Sequence, residues 1–334
     1  MENTIQKILE NFTKTTGLRT HWRENNRNNL DGTIDFYFDN GREQVIVEVK
    51  RELRNHHLAG LFKMKKLHDN VLVIAENIFP NLKNELRRHH IGYIDAAGNA
   101  FLKTKKHFFL IEGKKDQITN TDGRNKVFTK AGIKLIFHFL LDPDLINATY
   151  REIAERTNAG LDTIHKVIHG LKEQAFILAL NNKQVKIKNT RQLLERWMVA
   201  YEEKLKPDLL IDRFRFLRDE ERMNWKKFPL KEGTVWGGEP GGGMMTNYLK
   251  PAEFTIYTNE FRADLIRNYK FVPDPNGNVK AYQKFWTFQE TKFPKCAPAL
   301  IVYADLMNTA DPRCIETAQK IYDKELHFIG QETA

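Results

Sequence analysis

The apolar positions of the chain change period several times, and each change marks an element. Ile5, Ile8, Leu9 and Phe12 recur at helical spacing, so residues 4–15 read as an amphipathic helix. Alternation then takes over. Ile34–Phe38 and Val45–Val49 predict two strands, with Asp39-Asn40-Gly41 as the turn between them. A helix is expected over 55–68, a third strand at the apolar run Val71–Ala75, and a further helix over 79–90. That helix closes on Arg87-Arg88-His89-His90, where cations suit the negative helix end. Tyr93–Ile94, Ala100–Leu102 and Phe108–Ile111 read as short strands. Interleaved strands and helices predict a mixed α/β domain over 1–115.

The polar stretch Gly113–Lys126 reads as a linker. Beyond it, Thr129–Leu141 has a helical pattern that stops before Pro143. Thr149 and Glu152 form a capping box for a second helix, which ends at Asn158-Ala159-Gly160. A third helix runs from Leu161 to Gln174, and the alternating segment Phe176–Lys188 turns at Asn181-Asn182. Three helices and a hairpin predict a winged helix-turn-helix over 127–190. Residues 190–205 form one more amphipathic helix, closed by Pro207. The region 191–334 reads as a third, α/β domain. Its strands are expected at Leu209–Leu217, Glu253–Tyr257 and Leu300–Tyr303, with a helix over 311–325. The expected fold class is therefore multidomain, α/β and α+β.

Charge sharpens this picture. The 334 residues carry a net charge of +10 at a pI near 9.3, a balance that attracts polyanions and above all nucleic acid. Mean hydropathy is −0.56, and the longest apolar runs are of strand length, so no membrane span is expected. The N-terminus lacks the basic and apolar regions of a signal peptide. Two cysteines, Cys296 and Cys314, are too few for a disulfide framework and lack zinc spacing, so a reducing, cytoplasmic setting is expected.

Two clusters carry candidate chemistry. In the predicted winged helix, Leu161, Ile164, Ile168 and Leu171 form an apolar stripe. Thr163, His165, Lys166, His169 and Lys172 lie on the other side, placed to enter a major groove. Lys183, Lys186 and Lys188 on the wing suit phosphates. The expected partner is double-stranded DNA, bound without a cofactor; a winged helix used for protein contact also fits the pattern. In the first domain, Asp35 lies in one strand while Glu48 and Lys50 share a face of the next. Such a set can hold Mg²⁺ or Mn²⁺ through Asp35 and Glu48 and orient a water with Lys50, the minimum for phosphodiester hydrolysis of DNA. Glu10 is a further acidic candidate, and Asp31 competes with Asp35 as first carboxylate. Asp95, in Asp95-Ala96-Ala97-Gly98-Asn99, reads as a turn device or as an additional metal ligand.

The Asp35, Glu48, Lys50 pattern resembles the PD-(D/E)XK nuclease superfamily, although Ile34 stands where its motif has proline. A wider resemblance spans nearly the whole chain. Val45–Lys50, the segment Gly92–Ala100, the winged helix of 127–190, and Val235-Trp236-Gly237-Gly238-Glu239-Pro240 leading to Tyr248-Leu249-Lys250-Pro251 are together similar to AbiEi-type antitoxins of type IV toxin–antitoxin systems. The similarity is to the longer branch of that family, with a restriction-endonuclease-like N-terminal region. It implies a DNA-binding autorepressor in phage defence, opposing a nucleotidyltransferase-like toxin without a stable complex. The family usually places its winged helix N-terminally, whereas here it is central. Gly237–Gly243 lacks the Lys-Ser/Thr of a P-loop and reads as a tight strand-to-helix turn.

Overall fold

The computed structural model of the chain describes residues 2–24, 31–39, 41–53, 55–78, 80–113, 127–181, 184–309 and 311–330. Two compact units divide it, residues 1–120 and 121–334.

In the first unit the order is α1 (Glu2–Thr16), β1 (Arg19–Glu24), β2 (Gly32–Phe38), β3 (Gly41–Glu52), α2 (Asn55–Leu67), β4 (Val71–Asn77), α3 (Pro80–Arg88), β5 (Gly92–Asp95), β6 (Ala100–Lys103) and β7 (Phe108–Ile111). Among the described residues these seven strands form one mixed sheet in sequence order. Strands β1 to β3 and β5 to β7 are antiparallel. The parallel pairs β3–β4 and β4–β5 are those joined through α2 and α3, because a parallel neighbour needs a crossover. One face buries Val45, Val47, Leu72 and Ile74 against Ile5, Ile8, Leu9 and Phe12 of α1. The other buries Val71, Val73, Ala75 and Tyr93 with Leu58, Leu61, Leu82 and Leu86. Strand β4 is covered on both faces, which is why its sequence is a continuous apolar run rather than an alternation. The sequence pattern had not suggested β1. Its residues, Arg-Thr-His-Trp-Arg-Glu, carry one large apolar side chain, as an exposed edge strand permits.

The second unit begins with α4 (Lys130–Leu141), a 3₁₀ turn at Pro143–Asn147, α5 (Tyr150–Thr157), α6 (Leu161–Glu173), and the hairpin β8 (Ile177–Ala179) and β9 (Val185–Ile187). The expected capping box is present: the Thr149 hydroxyl accepts from Glu152 N, and Thr149 N donates to the Glu152 carboxylate. Asn158 ends α5 in the left-handed region, φ 54°, a conformation asparagine tolerates. Next come α7 (Thr190–Ala200), a π-helical segment at Tyr201–Leu205, and α8 (Lys206–Leu209). Pro207 thus does not close the helix before it. The widened π turn lies where the proline ring would otherwise meet the carbonyl four residues back.

The remainder comprises β10 (Leu210–Arg215), α9 (Asp219–Met223), β11 (Val235–Gly237), α10 (Gly238–Thr246), β12 (Phe254–Thr258), α11 (Arg262–Tyr269), β13 (Val272–Pro273), β14 (Val279–Gln283), α12 (Ala299–Met307) and α13 (Pro312–Ile321). The sheet order is β11-β12-β14-β10-β13, with β12 and β14 parallel. Leu300–Tyr303, expected as a strand, lies inside α12. That helix is buried all round, so its apolar run carries no amphipathic period to set it apart from a buried strand. A single apolar cluster reaches from Val127 through α4, α6 and α7 to α12, α13 and Ile329.

Candidate functional site

In α6 the sequence separates two faces. Ile164, Val167, Ile168 and Leu171 are buried, while His165, Lys166, His169 and Lys172 are exposed and Thr163 is half-buried. The buried stripe packs on α4 and α5, which leaves the polar face turned to solvent. Lys166 donates to Asp162 at 2.6 Å, and His169 Nδ1 lies 3.6 Å from Glu173 Oε1. Both pairs are one helical turn apart and well solvated. Such pairs contribute about 0.3–0.5 kcal/mol, so a phosphate can displace the carboxylate cheaply. The His165 and His169 rings lie 6.1 Å apart, and Tyr150, at the start of α5, sets its half-exposed ring 6.4 Å from His165. Nothing in the local sequence marks Tyr150 as part of this face, because its only local signal is its place after the Thr149 cap. On the hairpin, Lys186 is half-buried and Lys188 exposed; Lys183 lies outside the described residues. Asn147 fastens β9 by accepting from Val185 N at 2.8 Å and donating to Val185 O at 3.0 Å.

The carboxylate–lysine set of the first unit is not assembled as its spacing suggested. Asp35 stands opposite Gln44, four residues before Glu48 on β3. At strand rise that is about 13 Å. Its buried carboxylate is held by Arg23 and accepts from Gln44 Nε2 at 3.3 Å, with Arg42 Nε at 3.6 Å. A carboxylate already matched by two guanidinium groups has no charge to spare for a divalent cation. Glu48 is tied to Lys50. The carboxylate beside that pair is Asp31, which accepts from Val49 N at 2.7 Å. Glu10, exposed on α1, lines a pocket with His21 and Trp22 of β1. Among the described residues no group of three His, Cys, Asp or Glu side chains gathers as a metal site. The donor set at Asp35 and Glu48 therefore does not fit Mg²⁺ or Mn²⁺. Asp95 is a turn device: it accepts from Asn99 N at 2.8 Å and pairs with Lys83 at 2.6 Å, and Gly98 takes φ 90°.

The third constellation is buried in the second unit. The Tyr257 hydroxyl lies 2.9 Å from Asp305 Oδ2 and 2.6 Å from the Tyr201 hydroxyl, and Lys206 Nζ lies 3.1 Å from Asp305 Oδ1. Burial works to discharge Lys206, but the carboxylates of Asp305 and Glu202 outweigh it and hold its pKa well above the usual value. The same Asp305 accepts from Gly238 N at 3.1 Å, so it caps the positive start of α10. Of Gly237–Gly243, expected as a strand-to-helix turn, Gly237 ends β11 and Gly238–Gly243 lie within α10 itself. A Cβ on Gly241 would fall 2.8 Å from Val302 Cγ2, and one on Gly242 2.8 Å from Leu306 Cδ1. The glycines let α10 lie close against α12. Cys296 and Cys314 are buried, and burial pushes both thiols up to about 12, which leaves them without thiolate chemistry.

Residues 186–327 match the model of a family described as transcriptional regulator, AbiEi antitoxin, type IV TA system. This region of the chain is similar to the AbiEi antitoxin family. Nothing among curated proteins or solved structures matches the chain. The AbiEi region starts on β9 and takes in α7, the buried Lys206–Asp305 pair and the glycine-rich α10. It includes Val235–Pro240 leading to Tyr248–Pro251, one of the four stretches that carry the resemblance. Val45–Lys50, Gly92–Ala100 and α4 to α6 lie outside it. No helix of the described residues is long and apolar enough to cross a membrane.

Proposed function

We propose that the chain is a DNA-binding transcriptional regulator, an antitoxin-like autorepressor of a type IV toxin–antitoxin system. In this reading α4, α5, α6 and the β8–β9 hairpin are a winged helix, with α6 entering a major groove. One observation carries the reading. The side of α6 that bears His165, Lys166, His169 and Lys172 is exposed, while the opposite stripe is anchored in the core. Thr163, His165 and His169 would face base edges. Lys166, Lys172, Lys186 and Lys188 would meet phosphates, with Tyr150 at their flank. The adjoining AbiEi region supports the regulatory and antitoxin parts. DNA binding in this reading needs no metal, and the opposed toxin is a nucleotidyltransferase-like protein that need not form a stable complex with it.

Titration of the protein's own promoter at several salt concentrations tests this. Lys172→Ala is expected to weaken binding to all duplexes alike and to reduce the slope of log K against log salt by about 1. A wild-type protein that binds its promoter no better than random duplex overturns the regulatory reading. Failure to rescue growth when co-expressed with a neighbouring toxin overturns the antitoxin part.

A further inference from the structure

Of the eleven histidines of the chain, only His165 and His169 stand four residues apart, and both lie within α6. Residues four apart share a helix face with Cβ atoms about 5–6 Å apart, the spacing at which two imidazoles can grip one ion. Both side chains are exposed, and their rings lie 6.1 Å apart at an interplanar angle of 29°. Two imidazoles that share a tetrahedral ion, each nitrogen about 2.0–2.1 Å from the metal, hold their ring centroids about 5 Å apart. Closing the difference of about 1 Å takes small side-chain rotations within staggered wells and no movement of the backbone. That backbone is fixed, because Ile164, Val167, Ile168 and Leu171 anchor the other face of α6 in the core. A ligand pair on an anchored helix is held close to its working geometry in advance.

Glu173 lies one turn beyond, with Oε1 3.6 Å from His169 Nδ1. A carboxylate drawn onto Nδ1 keeps the proton there and leaves the Nε2 lone pair for a metal, the part carboxylates play behind histidine ligands. Glu173 is thus an orienting group and not a third ligand, in keeping with the absence of any three-ligand group among the described residues.

We propose that His165 and His169 chelate one dication of the Zn²⁺, Ni²⁺ and Cu²⁺ class, and that the ion closes the groove-facing side of α6. Neutral imidazole suits these metals, whereas Mg²⁺ and Mn²⁺ call for oxygen donors. Two protein ligands leave the other positions of the ion to water. The hydrated ion then stands where His165 and His169 would meet base edges, and it takes up the nitrogens that would read them. This second half of the proposal rests on the DNA-binding reading; the metal site does not.

Calorimetric titration of the full chain with Zn²⁺ is expected to show a site for one ion per chain. His165→Gln and His169→Gln are each expected to abolish that site with the circular dichroism unchanged, since both side chains are exposed. Glu173→Gln is expected to weaken it about tenfold. A wild-type chain without a stoichiometric site, or a site that survives either histidine substitution, overturns the metal site. Promoter titration in chelator and in saturating Zn²⁺ tests the second half. The wild-type affinity is expected to fall about tenfold in Zn²⁺, the loss of one good base contact. The ratio of the two affinities is expected to return to one in His169→Gln. Equal wild-type affinities in both conditions overturn the closure. A wild type that ignores its promoter even in chelator overturns the DNA-binding reading and the closure with it, while the Zn²⁺ titration still decides the metal site.

Discussion

His138 offers a measurable test of how the helices around α6 are held. It lies in α4, is 8% exposed, and packs its ring 5.2 Å from Phe137 and 6.0 Å from Phe288. Burial, helped by the positive charge of Arg156, lowers its pKa from 6.5 to about 4. Arg156 is itself matched by Asp142 at 2.7 Å. The folded state keeps this imidazole neutral while the unfolded chain takes up a proton first. The stabilisation is therefore complete above the unfolded value of 6.5 and is lost as pH falls from there toward about 4. The full loss is roughly 3 kcal/mol, of which roughly 2 kcal/mol falls between about pH 7 and about pH 5. Urea denaturation of wild type and of His138→Leu at both pH values isolates this contribution, since other titrating groups act on both proteins alike. The wild type is expected to lose about 2 kcal/mol more than the variant over that interval. Parallel losses would refute the burial of a neutral ring.

Two further outcomes concern the region that matches the AbiEi model. Gly242→Val places a Cβ 2.8 Å from Leu306 Cδ1 and 3.1 Å from Thr317 Cγ2. Thermal denaturation is expected to show a loss of roughly 1–3 kcal/mol, typical of overpacking. Lys206→Met leaves Asp305 buried without its cation and is expected to cost about 3–5 kcal/mol. Adding Asp305→Asn should recover part of that loss, and strictly additive losses would mean that the two groups do not interact.

Legibility in the sequence followed how local the physics is. The Thr149–Glu152 capping box and the apolar stripe of α6 are set within one or two helical turns. The box forms and Ile164, Ile168 and Leu171 are buried as the pattern places them, whereas Leu161, the first residue of the helix, stays 57% exposed. Strands β2, β3 and β4 were recoverable because each carries enough apolar alternation or enough of an apolar run. The α12 run Leu-Ile-Val-Tyr was misread because complete burial erases the period that distinguishes helix from strand. Asp35 was misplaced for a different reason. Strand parity puts it on the same face as Glu48, correctly, but parity says nothing about distance along the strand, and register alone separates the two carboxylates.

The buried pair Lys206–Asp305 lies at the far end of that scale. Its hydroxyl partners come from Tyr201 and Tyr257, so the Tyr201–Lys206 stretch and β12 both converge on one carboxylate of α12. No spacing rule joins residues so far apart, and each reads singly as a surface lysine, an ordinary aspartate or a core tyrosine. Two local irregularities nevertheless bracket the site. The π segment at Tyr201–Leu205 immediately precedes Lys206, and Gly238, whose amide donates to Asp305, takes φ 46°. Lys206, which follows the first of these departures, and the amide of Gly238, at the second, meet at the same carboxylate. That makes Asp305 the residue that joins the helix following the β8–β9 hairpin to the sheet and to α10, and its loss should loosen all three together.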